Sequence, residues 1–401
     1  MNYILFDDNS WQNLLPLTFT RPVSEIRCGI LTITEKWEKF LKQKCSFATQ
    51  DYLSEKYPMV LSDENIFING SVIPNLDLFE QINQLKVDEY LMNEKELLAV
   101  NIGDNKLNDV ENKINIETLA ELGFTKIDYN KDCVKIKNTW DIFRMNGDQI
   151  AADFKLLTEG RKSAPISSTN QIAGRENIFL EDGAVCEFSI LNATNGYIYL
   201  GKDSEIMEGC MVRGSFALGE HSTLKMGAKI YGPTTIGQHS KVGGEINNSV
   251  IFGFSNKAHD GFLGNSVIGE WCNIGADSNN SNLKNNYAEV RLWNYEKASF
   301  VKTGLQFCGL IMADHAKCGI NTMFNTGTVV GVSANVFGTG FPRNFIPDFS
   351  WGGAAGFEVY ALPKVFEVAQ KVMERRDLQL TDIDKQILKH IFEITEKHRR
   401  F

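Results

Sequence analysis

Residues 200–242 read LGKDSEIMEGCMVRGSFALGEHSTLKMGAKIYGPTTIGQHSKV, and an aliphatic residue recurs at every sixth position of this stretch. The eight residues in this register are Leu200, Ile206, Val212, Leu218, Leu224, Ile230, Ile236 and Val242. A helix repeats about every 3.6 residues and a strand every two, so neither alone explains a period of six. Short strands joined by sharp turns do explain it, because one aliphatic side chain per strand then points into a narrow core. The period therefore predicts a parallel β-helix of hexapeptide repeats.

The same register extends well beyond this stretch. After a slip of two residues it resumes at Ile268 and Ile274, and it returns between Met312 and Val336. Glycine follows the repeat, since 21 of the 33 glycines lie between positions 201 and 340. The sequence thus predicts one long solenoid whose regularity is broken at residues 248–267.

The chain before the solenoid has a different pattern. Short apolar strands alternate with amphipathic helices there, which indicates an α/β domain. A helical stretch at 140–157 is followed by a polar linker, and two further helices are predicted at 364–376 and 382–399. We therefore divide the chain into an α/β domain (1–137), a bridging helix and linker (138–175), the β-helix (176–340) and an irregular segment with C-terminal helices (341–401).

Composition excludes several classes of function. The formal net charge of the 401 residues is -9, which argues against a nucleic-acid-binding surface, because phosphate neutralisation needs concentrated lysine and arginine. No apolar run approaches the roughly 20 residues of a membrane span, and the first residues lack the basic region of a signal peptide. The eight cysteines form no CxxC pair, which favours a reduced, cytoplasmic protein without a structural zinc site.

The break in the hexapeptide register carries a candidate base. His259 lies there, and an imidazole with an ordinary pKa of about 6.5 can take a proton from an amine at physiological pH. Asparagines surround it, and Lys257 and Lys284 supply positive charge for a phosphate. The alternative interpretation is structural, because asparagine tolerates left-handed backbone in turns and forms ladders in solenoids.

Histidine spacing offers a second chemistry. His221 and His239 are 18 residues apart, one coil of the solenoid, and with His259 they could hold zinc as in a carbonic-anhydrase-like site. His259, however, follows the break in register, and the other two fall at corners expected to be exposed. We therefore predict no metal ligands in the β-helix.

Residues 244–284, GEINNSVIFGFSNKAHDGFLGNSVIGEWCNIGADSNNSNLK, resemble the acetyltransferase half of bifunctional N-acetylglucosamine-1-phosphate uridyltransferases of the GlmU type. The resemblance implies a left-handed β-helix and makes His259 the general base that deprotonates the amine of an amino-sugar-1-phosphate. It implies that Phe262, Asn273 and Asn282 bind the substrate, and the family spacing His-x13-Asn-x8-Asn is kept. The family's tyrosine and one of its lysines are replaced here by Phe262 and Asn247.

The same resemblance extends to the acyl donor. Residues 302–321, KTGLQFCGLIMADHAKCGIN, are similar to the coils that bind acetyl-CoA in archaeal members, which implies cofactor contacts by Gly309, Ala313 and Lys317. Lys257 and Lys284 remain candidates for binding the substrate. Members act as trimers with acetyl-CoA between adjacent β-helices, so the resemblance also implies a homotrimer.

The N-terminal domain resembles sugar-1-phosphate nucleotidyltransferases at LLPLTFTRP (14–22) and IFINGSVIPN (66–75). The resemblance implies a nucleotide and Mg²⁺ site to which Asp7, Asp8, Arg21 and Arg27 could contribute. Three family features differ: FDDNSWQN has no glycine where a phosphate loop is expected, valine replaces a lysine after the proline, and serine lies near the position of the magnesium aspartate.

Over nearly its full length the chain resembles a Bacteroidetes-type group of GlmU-like proteins, with EIRCGILTITEKW and SNKAHDGFLGNSVIGEWCN as shared stretches. This resemblance implies a bifunctional transferase of nucleotide-sugar synthesis that acts on an amino-sugar phosphate, acetyl-CoA and a nucleotide. Two alternatives remain: a thymidylyltransferase-like enzyme whose β-helix serves trimerisation or ligand binding, and the zinc-dependent carbonic-anhydrase-like protein.

Overall fold

The computed structural model describes residues 2–103, 106–107 and 114–401, and the chain divides into two compact units. The first unit comprises Met1–Leu14, Thr20–Ile26 and Leu31–Lys137. The second comprises Asn138–Phe401 together with two short earlier segments, Leu15–Phe19 and Arg27–Ile30.

The first unit is built on a six-stranded mixed sheet in the order β2-β1-β3-β5-β4-β6. Strand β1 runs parallel to its neighbours β2 and β3, whereas β5 runs antiparallel to both β3 and β4. The strands are β1 (Asn2–Phe6), β2 (Ser46–Ala48), β3 (Glu64–Asn69), β4 (Glu89–Asn93), β5 (Glu96–Gly103) and β6 (Thr125–Asp128). Because β1 to β3 are parallel, their carboxyl ends lie at one edge of the sheet, where ligands of open α/β sheets bind.

Local signals position the helices of this unit. Thr32 and Glu35 form a capping box at the start of the second helix, and Asn75 caps the third. The helices that these residues cap, Ile33–Leu41 and Leu76–Asn83, lie in the part of the chain where the sequence predicts amphipathic helices between strands. The helices in the described part of this unit include α1 (Ser10–Asn13), α2 (Ile33–Leu41), α3 (Leu76–Asn83) and α4 (Ile116–Glu121).

The second unit contains the predicted parallel β-helix, whose coils stack into three sheets that we call faces A, B and C. Face A consists of Gln171–Ala173, Ile190–Asn192, Met211–Arg213, Lys229–Tyr231, Glu245–Asn247 and Phe262–Gly264. Face B consists of Ile178–Leu180, Ile198–Leu200, Phe216–Leu218, Thr234–Ile236, Val250–Gly253, Val267–Glu270, Leu310–Met312, Thr328–Val330 and Phe345–Ile346. Face C consists of Val185–Cys186, Glu205–Ile206, Thr223–Leu224, Lys241–Val242, Asn256–Lys257, Asn273–Ile274, Lys317–Cys318, Asn335–Val336, Ser350–Gly353 and, antiparallel, Gly356–Val359. A further parallel pair joins Asn279–Asn280 to Met323–Phe324.

The six-residue register is the core of this solenoid. Leu200, Leu218 and Ile236 lie in register on face B, and each is fully buried. Each of the eight aliphatic residues of the register between Leu200 and Val242 is at most 1% exposed. Burial of one aliphatic side chain contributes about 1.5–3 kcal/mol, so the stack of identical positions explains why the period is so regular.

One corner of the solenoid carries a ladder of stacked rings, which we call the ring ladder: His221, His239, Phe254, Trp271 and His315. Successive rings are 4.4–6.3 Å apart and within 26° of parallel. All five residues adopt positive φ, between 51° and 61°. The ladder shows that His221 and His239 belong to a structural corner.

Three helices and a hairpin complete the second unit. Thr381 and Asp384 form a capping box at the start of the last helix. None of the helices in the described part of the chain is long and apolar enough to cross a membrane. The helices are α5 (Thr139–Thr158), α6 (Leu362–Glu374) and α7 (Asp382–Ile394). The hairpin pairs Arg291–Asn294 with Ser299–Lys302 and leaves the solenoid between two stacked coils.

Candidate functional sites

A cleft of about 550 Å³ lies between face C of the β-helix and the C-terminal end of α6, and we call it the His259 cleft. Two of the predicted site residues on neighbouring coils, His259 and Asn273, line it together with Lys317. Phe254 and Trp271 of the ring ladder form another wall, with their rings stacked 4.4 Å apart. The cleft therefore combines a base, an amide, an ammonium and a flat apolar surface.

His259 lies in the turn that follows the strand Asn256–Lys257, and its side chain is exposed. Within the part of the chain that the structure describes, its imidazole makes no hydrogen bond. Both ring nitrogens are therefore available to a ligand. Asn256 and Asn273 pair across face C beside it, and Asn273 is exposed as well.

Lys257 is buried rather than presented to a substrate. Its position pairs with Val242 on the coil before it, so the side chain occupies a place that elsewhere holds an aliphatic residue. Its ammonium donates hydrogen bonds to the carbonyl oxygens of His259 at 2.5 Å and Asp260 at 3.2 Å. Burial lowers the pKa of Lys257 to about 8. Lys257 thus supports the turn that carries His259, and its contact with the substrate stays a prediction.

Lys317 forms part of the cleft wall, as its predicted contact with a ligand requires. It pairs with Asn273 on face C, and its ammonium donates to the carbonyl oxygen of His315 at 2.8 Å. Burial lowers the pKa of Lys317 to about 8. A ligand phosphate in the cleft would favour the charged form of this lysine.

Three further cations of the cleft were not predicted from the sequence: Lys241, Arg375 and Arg376. Arg376 is anchored by a hydrogen bond from its Nε to the carbonyl oxygen of His239 at 3.3 Å, and burial lowers its pKa. Arg375 is exposed. The paired arginines at the end of a predicted helix were the only signal, and the sequence did not show which coil that helix would face.

Phe262 and Asn282 do not line the His259 cleft. Both lie against Gly264 of face A, where a Cβ atom would come within 2.7 Å of the Asn282 amide nitrogen and 2.5 Å of the Phe262 ring. The Asn282 amide also donates to the side chain of Asn265 at 2.8 Å. The family spacing is kept in the sequence, but within this protomer only its first two members share a cleft.

The two expected cofactor contacts, Gly309 and Ala313, are buried in the solenoid, and their contact with a cofactor stays a prediction. Gly309 is buried, its N–H donates to Asn265 and its carbonyl oxygen accepts from Gly327, so both backbone groups are occupied. A Cβ atom at Gly309 would lie 2.1 Å from the carbonyl oxygen of Gly264. Ala313 is 0% exposed. Close packing between coils accounts for these two small residues.

Lys284 lies in another part of the unit, where its ammonium donates to the carbonyl oxygen of Glu289 at 2.9 Å. Neighbouring asparagines confirm the ladder interpretation: the side chains of Asn279 and Asn280 accept hydrogen bonds from the backbone of Phe262 and Gly264. Much of the asparagine in this segment therefore stabilises turns.

Metal coordination finds no support in the β-helix. Among the described residues, no group of three or more histidine, cysteine, aspartate or glutamate side chains could hold a metal ion. His221 and His239 stack on each other in the ring ladder, which accounts for their spacing, and the carboxylates of Asp203 and Glu220 also lie near His221, at 3.9 and 3.3 Å.

The first unit has its own cleft of about 720 Å³ at the carboxyl ends of β1 and β2. Asp7 lines it, where its carboxylate accepts hydrogen bonds from the Val23 N–H at 2.8 Å and the Thr49 hydroxyl at 2.5 Å. Burial raises the pKa of Asp7 to about 7 despite these bonds. The carboxyl is therefore poised to exchange a proton for a cation at neutral pH.

Asp8 does not line this cleft and belongs to a partly buried network of ion pairs. Its carboxylate accepts from Lys135 at 2.5 Å and from Asn69 at 3.0 Å, and Lys135 also contacts Glu96. Burial opposes ionisation of Asp8, but the Lys135 ammonium outweighs it and lowers the pKa of this carboxyl. Lys135 was not predicted, because it lies 127 residues from Asp8 in the sequence.

The two predicted arginines separate. Arg21 is buried at 5% exposure in the first unit. Arg27 belongs to the second unit, where its guanidinium donates to the carbonyl oxygens of Phe252 at 3.1 Å and Ile30 and to the side chain of Gln238 at 3.0 Å. Arg27 is therefore a buried hydrogen-bonding residue of the β-helix unit, and its role as a nucleotide ligand stays a prediction.

Residues 3–162 match the model of a family described as sugar nucleotidyl transferase. A region that matches this family model therefore precedes most of the β-helix.

One curated relative is a bifunctional sugar-1-phosphate nucleotidylyltransferase/acetyltransferase of Sulfurisphaera tokodaii, which is 29% identical over 144 residues. The match covers 35% of this chain and 35% of the relative, so it spans about a third of the length of either protein.

The solved structures that this chain resembles include two acyltransferases. A UDP-N-acetylglucosamine acyltransferase of Arabidopsis is 16% identical, with a TM-score of 0.25, over 59% of this chain and 99% of that one. The same enzyme of Campylobacter jejuni is 14% identical, with a TM-score of 0.24, over 57% of this chain and 96% of that one.

Proposed function

We propose that this protein is a bifunctional enzyme of nucleotide-sugar synthesis. In the β-helix it transfers the acetyl group of acetyl-CoA to the amine of an amino-sugar-1-phosphate, and in the first unit it transfers a nucleotidyl group to a sugar-1-phosphate. The observation that carries the proposal is the His259 cleft, in which an imidazole free of internal hydrogen bonds lies with Asn273 among cationic residues. The nucleotidyl part is supported by the family match of residues 3–162.

The acyl transfer needs one base. His259 accepts a proton from the substrate amine as the nitrogen attacks the thioester carbonyl, which gives a tetrahedral oxyanion. When the intermediate collapses, the carbon–sulfur bond breaks and the imidazolium returns the proton to the leaving thiolate. The exposed amide of Asn273 orients the sugar beside the imidazole.

The charge of the cleft suits two phosphorylated substrates. Lys241, Lys317, Arg375 and Arg376 present four cations, and arginine forks pair well with phosphate oxygens. The stacked rings of Phe254 and Trp271 offer an apolar wall for the non-polar parts of the donor. By analogy with GlmU-type enzymes, we propose a cytoplasmic homotrimer in which a neighbouring β-helix completes this cleft and brings Phe262 and Asn282 to the substrate.

The donor atoms of the first unit fit Mg²⁺, which prefers one or two protein carboxylates together with substrate phosphates. Asp7, at the carboxyl end of β1, would hold the ion, whereas Asp8 is paired with Lys135. When bound, Mg²⁺ neutralises charge on the transferring phosphate group. The chain itself contributes a carboxyl, that of Asp7, whose pKa near 7 lets it give up its proton to a cation.

The test is thiol release from acetyl-CoA in the presence of glucosamine-1-phosphate. Wild type should release thiol, and His259→Ala should lose at least a hundredfold in kcat, because proton transfer by a positioned base contributes about 10²–10⁴-fold. His221→Ala is the matched control, since His221 is an exposed imidazole of the same solenoid that does not line the cleft.

Equal loss in both variants would point to damage to the solenoid and contradict the role of His259. A folded wild type that releases no thiol but releases pyrophosphate from a nucleoside triphosphate and a sugar-1-phosphate would restrict the function to nucleotidyl transfer. Colorimetric thiol and pyrophosphate assays on one preparation distinguish the two halves of the proposal.

A further inference from the structure

A second cavity of the β-helix unit, of about 900 Å³, is lined by the hairpin Arg291–Asn294/Ser299–Lys302, by Phe345 of face B and by C-terminal residues from Lys397 to Arg400. We call it the hairpin cavity. It shares no lining residue with the His259 cleft. The reactions proposed above make no use of it.

Aromatic rings form the floor of the hairpin cavity. Trp293 stacks on Phe345 with ring centres 4.2 Å apart and planes within 10°. Phe300 meets the indole edge-on at 5.4 Å, and His398 closes the group at 5.2 Å from Tyr295. Mutual packing fixes these rings, yet Phe300 remains 42% exposed and offers ring surface at the mouth of the cavity.

The rest of the lining is strongly basic. Five cationic side chains face one carboxylate, that of Glu296, which leaves an excess of four positive charges in a protein whose formal net charge is -9. The guanidinium of Arg343 is held over the Phe357 ring at 5.2 Å. The cations are Lys284, Arg291, Arg343, Lys397 and Arg400.

From this juxtaposition we propose that the hairpin cavity binds the nucleoside diphosphate group of a ligand. The guanidinium groups suit the diphosphate, because their donors match phosphate oxygens in pairs. The exposed ring of Phe300 and the indole of Trp293 suit a flat base. A volume of about 900 Å³ falls within the usual range of small-molecule sites. Polymeric nucleic acid does not suit the acidic chain as a whole.

Two ligands of the proposed reactions carry this group: acyl-CoA through its adenosine diphosphate end, and the nucleotide sugar. Isothermal titration of the full-length protein with ADP, UDP and coenzyme A tests the inference and separates the sources. Binding of ADP and coenzyme A but not UDP identifies the acyl donor, and binding of UDP but not coenzyme A identifies the nucleotide sugar. Either result supports the site only if it depends on the cavity cations.

The variant Arg291→Ala tests whether binding depends on the cavity cations, since Arg291 is exposed and its replacement should leave the core intact. We expect at least tenfold weaker binding, and the same direction for Lys397→Ala, with unchanged thermal unfolding. Lys297→Ala is the matched control, because this lysine is exposed in the same hairpin but does not line the cavity.

Two results would overturn the inference: no binding of any of the three ligands to wild type, or equal affinity in wild type and Arg291→Ala. Because the readout is binding, it stands apart from the proposed catalysis. Loss of thiol release in His259→Ala with unchanged nucleotide binding would show that the two sites are separate. If wild type shows neither acyl transfer nor nucleotidyl transfer, the binding experiment still tests the hairpin cavity.

Discussion

The ammonium of Lys257 lies 2.5 Å from the carbonyl oxygen of His259, so a buried lysine in a core position fixes the turn that presents the proposed base. Lys257 pairs with Val242, the last of the eight positions of the opening six-residue register, and all eight hold an aliphatic side chain. Burial of an ammonium costs free energy, which is consistent with its lowered pKa of about 8.

Replacing Lys257 with methionine should separate stability from activity. The apolar chain suits a site between Val242 and Ile274, so the midpoint of thermal unfolding should be unchanged or higher, while kcat for thiol release falls about tenfold to a hundredfold because the base is no longer held in position. If kcat falls while the midpoint of thermal unfolding is unchanged, Lys257 has more than a structural role. If kcat is unchanged, the hydrogen bond to His259 has no catalytic consequence.

Asp7→Asn should change the pH dependence of stability. The folded pKa of about 7 lies above the ordinary 3.8, so Asp7 stabilises the fold only while protonated, and that contribution is lost as pH rises from about 4 through 7. The amide mimics the protonated form. In chelator-treated buffer, the variant should therefore melt at the wild-type temperature near pH 4 and above it at pH 8.

Asp51→Asn serves as the control for this measurement, since Asp51 lines the same cleft but is exposed. A variant of Asp7 that melts below wild type at pH 8 would show that the carboxylate stabilises the fold as an anion. Mg²⁺ should raise the melting temperature of wild type but not of Asp7→Asn, because a ligand that binds only the folded protein stabilises it.

Gly309→Ala should destabilise the protein severely. The added methyl would lie 2.1 Å from a carbonyl oxygen of Gly264, so two coils must move apart. Gly319→Ala is the matched control, because the atom nearest to its added Cβ is the Cβ of Phe337, at an ordinary contact distance of 3.4 Å. We expect a loss of several kcal/mol for Gly309→Ala and a small change for Gly319→Ala in denaturant unfolding. A stable Gly309→Ala variant with a raised KM for acetyl-CoA would instead restore the cofactor role.

Arg27→Met should lower the free energy of unfolding by about 2–4 kcal/mol, because it leaves the buried carbonyl oxygen of Phe252 and the side chain of Gln238 without their donor. Urea unfolding measures this loss. The affinity of the first unit for nucleotide should not change. Arg144→Met, at an exposed arginine, controls for the loss of charge. Weakened nucleotide binding in a stable Arg27→Met variant would instead support the predicted role of Arg27 as a nucleotide ligand.

Arg375→Ala should raise the KM for acetyl-CoA about tenfold with little change in kcat, since a phosphate contact that is equal in ground and transition states affects binding alone. Steady-state thiol release provides both constants. Lys371→Ala, at an exposed cation of the same helix outside the cleft, should behave as wild type. Equal KM values for the two variants would exclude Arg375 from donor binding.

The fold was predictable because one physical constraint repeats. A narrow core accepts one aliphatic side chain per strand, so Leu200 and its seven successors record the architecture in the sequence. Helix boundaries were also readable where caps mark them, as at Thr32 and Thr381. Both signals act over a few residues and need no knowledge of the tertiary structure.

The sites were predictable only in part. His259 was found because it interrupts the repeat, but Arg375 lies 116 residues away and meets it only after the coils have stacked. The role of Gly309 is ambiguous in the sequence because close packing and cofactor contact both require a small residue. The place of Arg27 in the second unit was not predicted, because its neighbours in sequence, up to Ile26, belong to the first.

Most neighbouring coils of face C are joined by short lengths of chain, as between Asn256 and Asn273, which are 17 residues apart. The hairpin enlarges one such connection, since the next paired residue after Asn273 is Lys317, at 317 − 273 = 44 residues. The entropy of closing a flexible loop grows only with the logarithm of its length, so this enlargement costs about 0.8 kcal/mol. A solenoid can therefore acquire an accessory element between two coils at a cost close to the free energy that one buried methylene contributes, and can do so without disturbing the register on either side.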